Sequence, residues 1–130
     1  MFGKFQQSHL RLELRASENL IRESLTHSSK LGKWLFLQGV PPGLPEKLQP
    51  DVSFTHQLGL ISIHHKVIYT NDNCLRLLLS EGIDGYHEWY WGEGWFQSSL
   101  VGISLLPLNL GQTILIWRLR QFLTAQQANT

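Results

Sequence analysis

The sequence predicts an α+β fold dominated by one antiparallel sheet, and three observations carry that prediction. Between residues 17 and 35, apolar residues recur at helical spacing behind good N-cap residues. From about Asp51 to Leu119, apolar and polar residues alternate in runs broken by Asn, Asp and Gly turn signals. Inside that region, Gly-Tyr-His-Glu-Trp-Tyr-Trp-Gly-Glu-Gly-Trp, residues 85–95, holds three of the five Trp and two of the three Tyr. Aromatic rings bury roughly 150–250 Å² each, so this strand belongs in a core, a cavity wall or a binding face.

Taken in order, residues 8–15 alternate Leu10, Leu12 and Leu14 against Arg11, Glu13 and Arg15, the pattern of a half-buried strand. Ser17 then caps a helix whose stripe is Leu20, Ile21 and Leu25, with Glu18 at its positive end. Ser29 can cap a shorter helix with Leu31, Trp34 and Leu35 inward. Residues 39–45 hold three of the five Pro and read as a surface connection.

The strands follow. Phe54, His56 and Leu58 share a face; Ile61, Ile63, His65, Val67 and Tyr69 form the next inward set, then Leu75, Leu77 and Leu79. Asn71-Asp72-Asn73, Glu81-Gly82 and Asp84-Gly85 read as turns, and Gly92-Glu93-Gly94 reverses the aromatic strand with Glu93 in solvent. Residues 95–106 predict a long strand, residues 107–111 a loop, and residues 113–119 a last strand. Only residues 120–127 are left for a C-terminal helix, which is short. The expected order is strand, two helices, about six strands, helix: about seven strands within a single domain spanning residues 1–130.

Bulk properties narrow the function. The 130 residues carry a net charge of +1 with no basic run, which argues against nucleic acid. The single Cys74 excludes an internal disulfide and reads as a small buried hydrophobe. No apolar run approaches the roughly 20 residues of a membrane span, and no signal core follows Met1. The expectation is a cytoplasmic protein without a transmembrane segment.

Residues 17–21, Ser-Glu-Asn-Leu-Ile, with Leu25-Thr26 and then Leu31-Gly32-Lys33-Trp34-Leu35, resemble the opening of the START-like helix-grip superfamily (SRPBCC). That superfamily includes the polyketide cyclase and birch pollen allergen groups. Residues 98–108 followed by Gly111-Gln112-Thr113 resemble its closing strand pair. The resemblance implies a curved sheet gripping a C-terminal helix, with an apolar ligand cavity between them. A short final helix and a Pro-rich loop depart from that pattern and bear on whether the cavity closes.

Alternation places His56, His65 and His87 on inward faces, where imidazoles can ligate a metal or exchange protons. No H-x-H or helical His spacing accompanies them, so no metal or cofactor is expected. Trp89, Trp91, Trp95 and Trp117 read equally as an aromatic ligand wall or as core packing, with Gln97 and Ser99 as polar points. Glu88 reads first as a residue on the wet face, and as a general acid only if the surrounding rings bury it. No nucleophile elbow, phosphate loop or dinucleotide fingerprint is present.

The functional expectation is binding of an apolar or aromatic small molecule, a lipid or metabolite. Its ligand contacts would be His65, His87, Trp89, Trp91, Trp95, Gln97 and Trp117. Two alternatives stand beside it: an interaction or co-chaperone module that hides its aromatic face in a homodimer, and a cyclase- or dehydratase-type enzyme using Glu88 or a histidine. The enzyme reading is the less favoured.

Overall fold

The computed structural model describes residues 3–36, 40–58, 61–104 and 107–128. Six strands and three helices lie among them: β1 (Lys4–Glu13), α1 (Glu18–Thr26), α2 (Ser28–Trp34), β2 (Ser53–Leu58), β3 (Ile61–Thr70), β4 (Cys74–Glu81), β5 (Ile83–Gly92), β6 (Trp95–Ser104) and α3 (Leu108–Ala128). The strands form one curved antiparallel sheet in the order β1-β6-β5-β4-β3-β2. The α1–α2 pair connects β1 at one edge to β2 at the other, and every later strand pairs with its chain neighbour.

Local signals explain the small elements. The Leu20 N–H donates to Ser17 Oγ at 3.0 Å, the expected N-cap of α1. Glu93 is exposed, as expected, and its carboxylate also accepts the Glu18 N–H at 2.8 Å, so the β5–β6 turn caps α1 as well. The start of α2 has no side-chain cap of its own. It is held by the Pro-rich loop, where Ser28 N–H donates to the Glu46 carbonyl (2.7 Å) and Ser29 Oγ to the Glu46 carboxylate (2.5 Å). That second bond holds the Glu46 carboxyl below the usual carboxylate range.

The largest departure from expectation is at the C-terminus. Residues 113–119 are not a seventh strand; they lie inside α3, whose 21 residues make a long helix. Alternating Thr113, Leu115, Trp117 and Leu119 mimic a strand, and β-branched Thr113, Ile114 and Ile116 strengthen the mimicry. The same stretch also carries a helical stripe, Leu108, Leu115, Leu119 and Leu123, whose exposures run from 0% to intermediate. Burying each such leucine is worth roughly 1.5–3 kcal/mol, which outweighs local β-propensity. A buried Gln112 on that stripe hides the pattern from a count of apolar residues.

Smaller corrections follow from register. A bulge between Val67 and Tyr69 turns Tyr69 outward, half-exposed. Gly85 is not in a turn. It faces Gly102 across β5–β6, where an added Cβ would lie 1.9 Å from the Val101 carbonyl oxygen, so the strands close on each other only without side chains. β1 starts at Lys4, earlier than the alternation suggested; β6 is described as far as Ser104, and residues 105–106 of the expected strand lie outside the described residues.

The inner face of the sheet carries Phe54, Ile63, Val67, Leu75, Leu77 and Leu79 with the aromatic strand. α1 and α2 cover one end through Ile21, Leu25, Leu31 and Trp34, and α3 covers the other. Among the described residues, no helix is long and apolar enough to cross a membrane.

Candidate functional site

Between the sheet and the first turns of α3 lies a cavity of about 50 Å³. His56, His65 and His87 supply its polar edges, from β2, β3 and β5. Ile63, Leu79, Ile83 and Leu100 form its floor. Leu108, Gly111, Gln112 and Leu115 of α3 form its roof, with Pro107 at the rim. The three histidines converge because each sits at an inward position of its strand, as alternation requires; all three are buried.

Their hydrogen bonding differs. Nε2 of His87 lies 2.7 Å from Ser98 Oγ and receives the indole N–H of Trp89 at 2.8 Å. An indole nitrogen can only donate, so Nε2 carries the lone pair and the ring proton sits on Nδ1. Gln112 locks the arrangement: its amide nitrogen donates to Ser98 Oγ (2.9 Å) and to the Ser98 carbonyl (3.0 Å). Its amide oxygen accepts from Ser8 Oγ at 2.5 Å. The Ser98 hydroxyl, receiving from Gln112, is left to donate to His87.

His65 is stacked on Phe54, with ring centroids 4.8 Å apart and planes 12° from parallel. Both of its ring nitrogens are buried without a hydrogen-bond partner among the described residues, and so is Nε2 of His56. Each such orphan costs roughly 1–3 kcal/mol.

Electrostatics keep the three rings neutral. Burial pushes His87 down to about 3. Burial, then the neighbouring His87, His56 and His64, pushes His65 well below the usual histidine value. His56 is lowered by burial and by the Arg118 charge, while a hydrogen bond to the Leu35 backbone pulls the other way. Among the described residues lining the cavity there is no carboxylate. Nor is any group of three or more His, Cys, Asp or Glu among the described residues arranged to hold a metal ion.

The other expected site residues scatter. Trp89 is buried beside the cavity, its ring 5.9 Å from Trp34 and 6.3 Å from Phe96. Trp91 is packed solid at 1% exposure. Trp95 and Gln97 are on the convex face: Trp95 pairs with Gly92, covers it, and carries the Arg11 guanidinium 4.7 Å above its ring. Trp91 pairs with Phe96, and directly opposed residues share a face, so Phe96, Ser98 and Leu100 point inward while Gln97 and Ser99 point out. Trp117 is 57% exposed on the outer side of α3. Glu88 is also convex, paired with Arg76 at 3.2 Å and accepting the Tyr90 hydroxyl, away from the cavity.

An aromatic wall is therefore not what lines the space. Ser98, Gly111 and Gln112 are the site residues that alternation missed. Carrying the register through the two-residue turn Glu93-Gly94 would have found Ser98.

No protein-family model and no curated protein matches this sequence. Solved structures do match its shape. The AHSA1-like protein of Aeromonas hydrophila superposes with a TM-score of 0.70 at 9% identity, over 94% of each chain. CalU16 of Micromonospora echinospora gives 0.69 at 12% identity, over 96% of this chain and 80% of its own. The Aha1 dimer of Colwellia psychrerythraea gives 0.63 at 12% identity, over 91% and 96%. The fold is a helix-grip. At these identities the likeness extends to architecture alone, and the helix-grip cavity, between sheet and C-terminal helix, is where the three histidines meet.

Proposed function

We propose that this chain is a single helix-grip domain that binds an apolar or aromatic small molecule between its sheet and α3. The observation that carries the reading is the pair of unpartnered nitrogens on His65, buried against an otherwise apolar cavity. Buried polar groups are nearly always paired, and a bound polar group would pair these. The 50 Å³ of the cavity exceeds the roughly 10–15 Å³ a water needs but falls short of the roughly 150 Å³ that holds benzene. The ligand's polar head fits inside, and its apolar body must pass the rim at Pro107 and Gly111.

The test is a ligand titration followed by imidazole NMR and Trp fluorescence. Trp89, bonded to His87, reports on the cavity. A binder should shift His65 and His87 resonances and change Trp89 emission, and Trp117→Ser should leave its affinity unchanged. Binders that act only through Trp117 would remove the cavity from the function.

A second reading, a protein-interaction module, is favoured by the outer side of α3, where Leu110, Ile114 and Trp117 are each at least half exposed. Size-exclusion chromatography before and after Trp117→Ser separates the two: loss of a dimer supports the module.

A further inference from the structure

The unpartnered groups of the cavity can be counted by their chemistry. His56 presents Nε2, buried and without a hydrogen-bond partner among the described residues. Neutral His65 offers one N–H and one lone pair, both unused. The open set is thus the donor and the acceptor of His65 together with Nε2 of His56, on rings whose centroids are 6.1 Å apart. A single small group can reach both at hydrogen-bond distances near roughly 2.8 Å.

The imidazoles are neutral, and the charge felt at His56 is the positive one of Arg118. β2 contributes His56, β3 contributes His65 with His64 on its outer side, β5 contributes His87, and α3 contributes Arg118 and the neutral Gln112. β4 contributes only leucine to the lining, and no described lining residue is acidic. A cationic ligand meets repulsion here. An alcohol has one oxygen for three open nitrogens. A carboxyl group brings two oxygens and supplies both a donor and an acceptor.

We propose that the ligand of this cavity is a weakly acidic apolar molecule, a carboxylic acid, whose oxygens pair with His65 and His56. This rests on the small-molecule reading above. On entry from neutral solution the acid's conjugate base arrives with one proton: the new N–H or O–H bond lies between imidazole and oxygen, and that proton leaves the solvent. The apolar body runs out past Gly111, where an added Cβ would meet no atom within 4 Å.

The experiment compares benzoate with benzyl alcohol and hexanoate with hexanol on the wild-type protein. Binding is read by His65 imidazole NMR, and proton uptake by calorimetry in buffers of different ionisation enthalpy. The acids should bind at least about tenfold tighter at pH 6 than at pH 7.5, taking up about one proton each. The alcohols should bind at least about tenfold more weakly than the matching acids, with no uptake. His65→Gln should abolish the uptake, and because the acid–alcohol comparison uses wild type, misfolding of that variant leaves the test intact. Alcohols that shift His65 as well as the acids would overturn the acid assignment while leaving the small-molecule reading standing. Acids bound without proton uptake would place Arg118, not the imidazoles, opposite the anion and overturn it equally. If none of the four compounds moves His65, the acid assignment falls, while the small-molecule reading is decided by the wider ligand titration.

Discussion

The indole N–H of Trp89 meets Nε2 of His87 at 2.8 Å, and a donor fixed at that distance forbids a second proton on the same nitrogen. Burial already disfavours the imidazolium; the opposing dipole adds a reason rooted in geometry. His87 is consequently a fixed tautomer with its proton on Nδ1, held by residues from β5, β6 and α3 together. Trp89, read from the sequence as ligand wall or core, is a positioning residue for the histidine two places before it.

Trp89→Phe tests this directly. Burial holds wild-type His87 at about 3. Removing the indole N–H takes away the geometric bar to a proton on Nε2, so the midpoint of the His87 imidazole titration should move up from that value. The lost hydrogen bond should cost about 1–2 kcal/mol of stability in urea denaturation. A His87 resonance that stays silent in the variant would mean that burial alone keeps it neutral.

Stability should fall as the solution is acidified. Above pH 6.5 these histidines are neutral in both folded and unfolded chains and contribute no pH dependence. Below it the unfolded chain takes up protons that the folded chain refuses, so the folded state loses ground until the folded pKa is reached, about 3 for His87. Between pH 6.5 and 5, His87 alone should cost about 2 kcal/mol, and His56 and His65 act in the same direction. Urea midpoints at pH 7, 6 and 5 measure the slope, which His87→Gln should make shallower. A flat profile in the wild type would rule out three neutral imidazoles.

Alternation was enough to bring His56, His65 and His87 to one face, because strand geometry fixes which side a residue takes once its neighbours are known. It failed for Trp95 and Gln97 because the face was carried along each strand separately and not through the turn between them. It failed for Trp117 because residues 113–119 satisfy both a period of two and a helical stripe. What chose between the periods was tertiary: the inner face left uncovered by α1 and α2 needs a 21-residue lid, and only the helix supplies one. The resemblance to helix-grip proteins pointed to that lid, and the short-helix reading set it aside. The cavity's size was not legible at all, since volume depends on how side chains from six elements, β2 to β6 and α3, meet.

Gly111→Ala should stabilise the protein by about 0.5–1 kcal/mol, because a glycine inside a helix carries that cost relative to alanine. Nothing within 4 Å would obstruct the methyl group, so packing does not account for the glycine. The same methyl narrows the way out of the cavity, and any cavity ligand should bind more weakly. Thermal unfolding and ligand titration on one variant would read both effects. A variant that is less stable than wild type would show that the open space at this position is filled in solution.

Gln112 ties α3 to two strands at once, donating to the carbonyls of Ser8 at 3.2 Å and Ser98 at 3.0 Å while holding the Ser98 hydroxyl. Gln112→Leu keeps the bulk and removes every one of these bonds, leaving buried groups without a donor. The expected cost is about 2–4 kcal/mol, well beyond what an apolar swap of similar size causes. Thr113→Ala, one residue further along and exposed, loses only a bond to the Asn109 carbonyl and should stay within about 0.5 kcal/mol. The pair distinguishes the two periods at issue in this segment: in a strand, position 113 would face inward and 112 outward, and the order of the two losses would reverse.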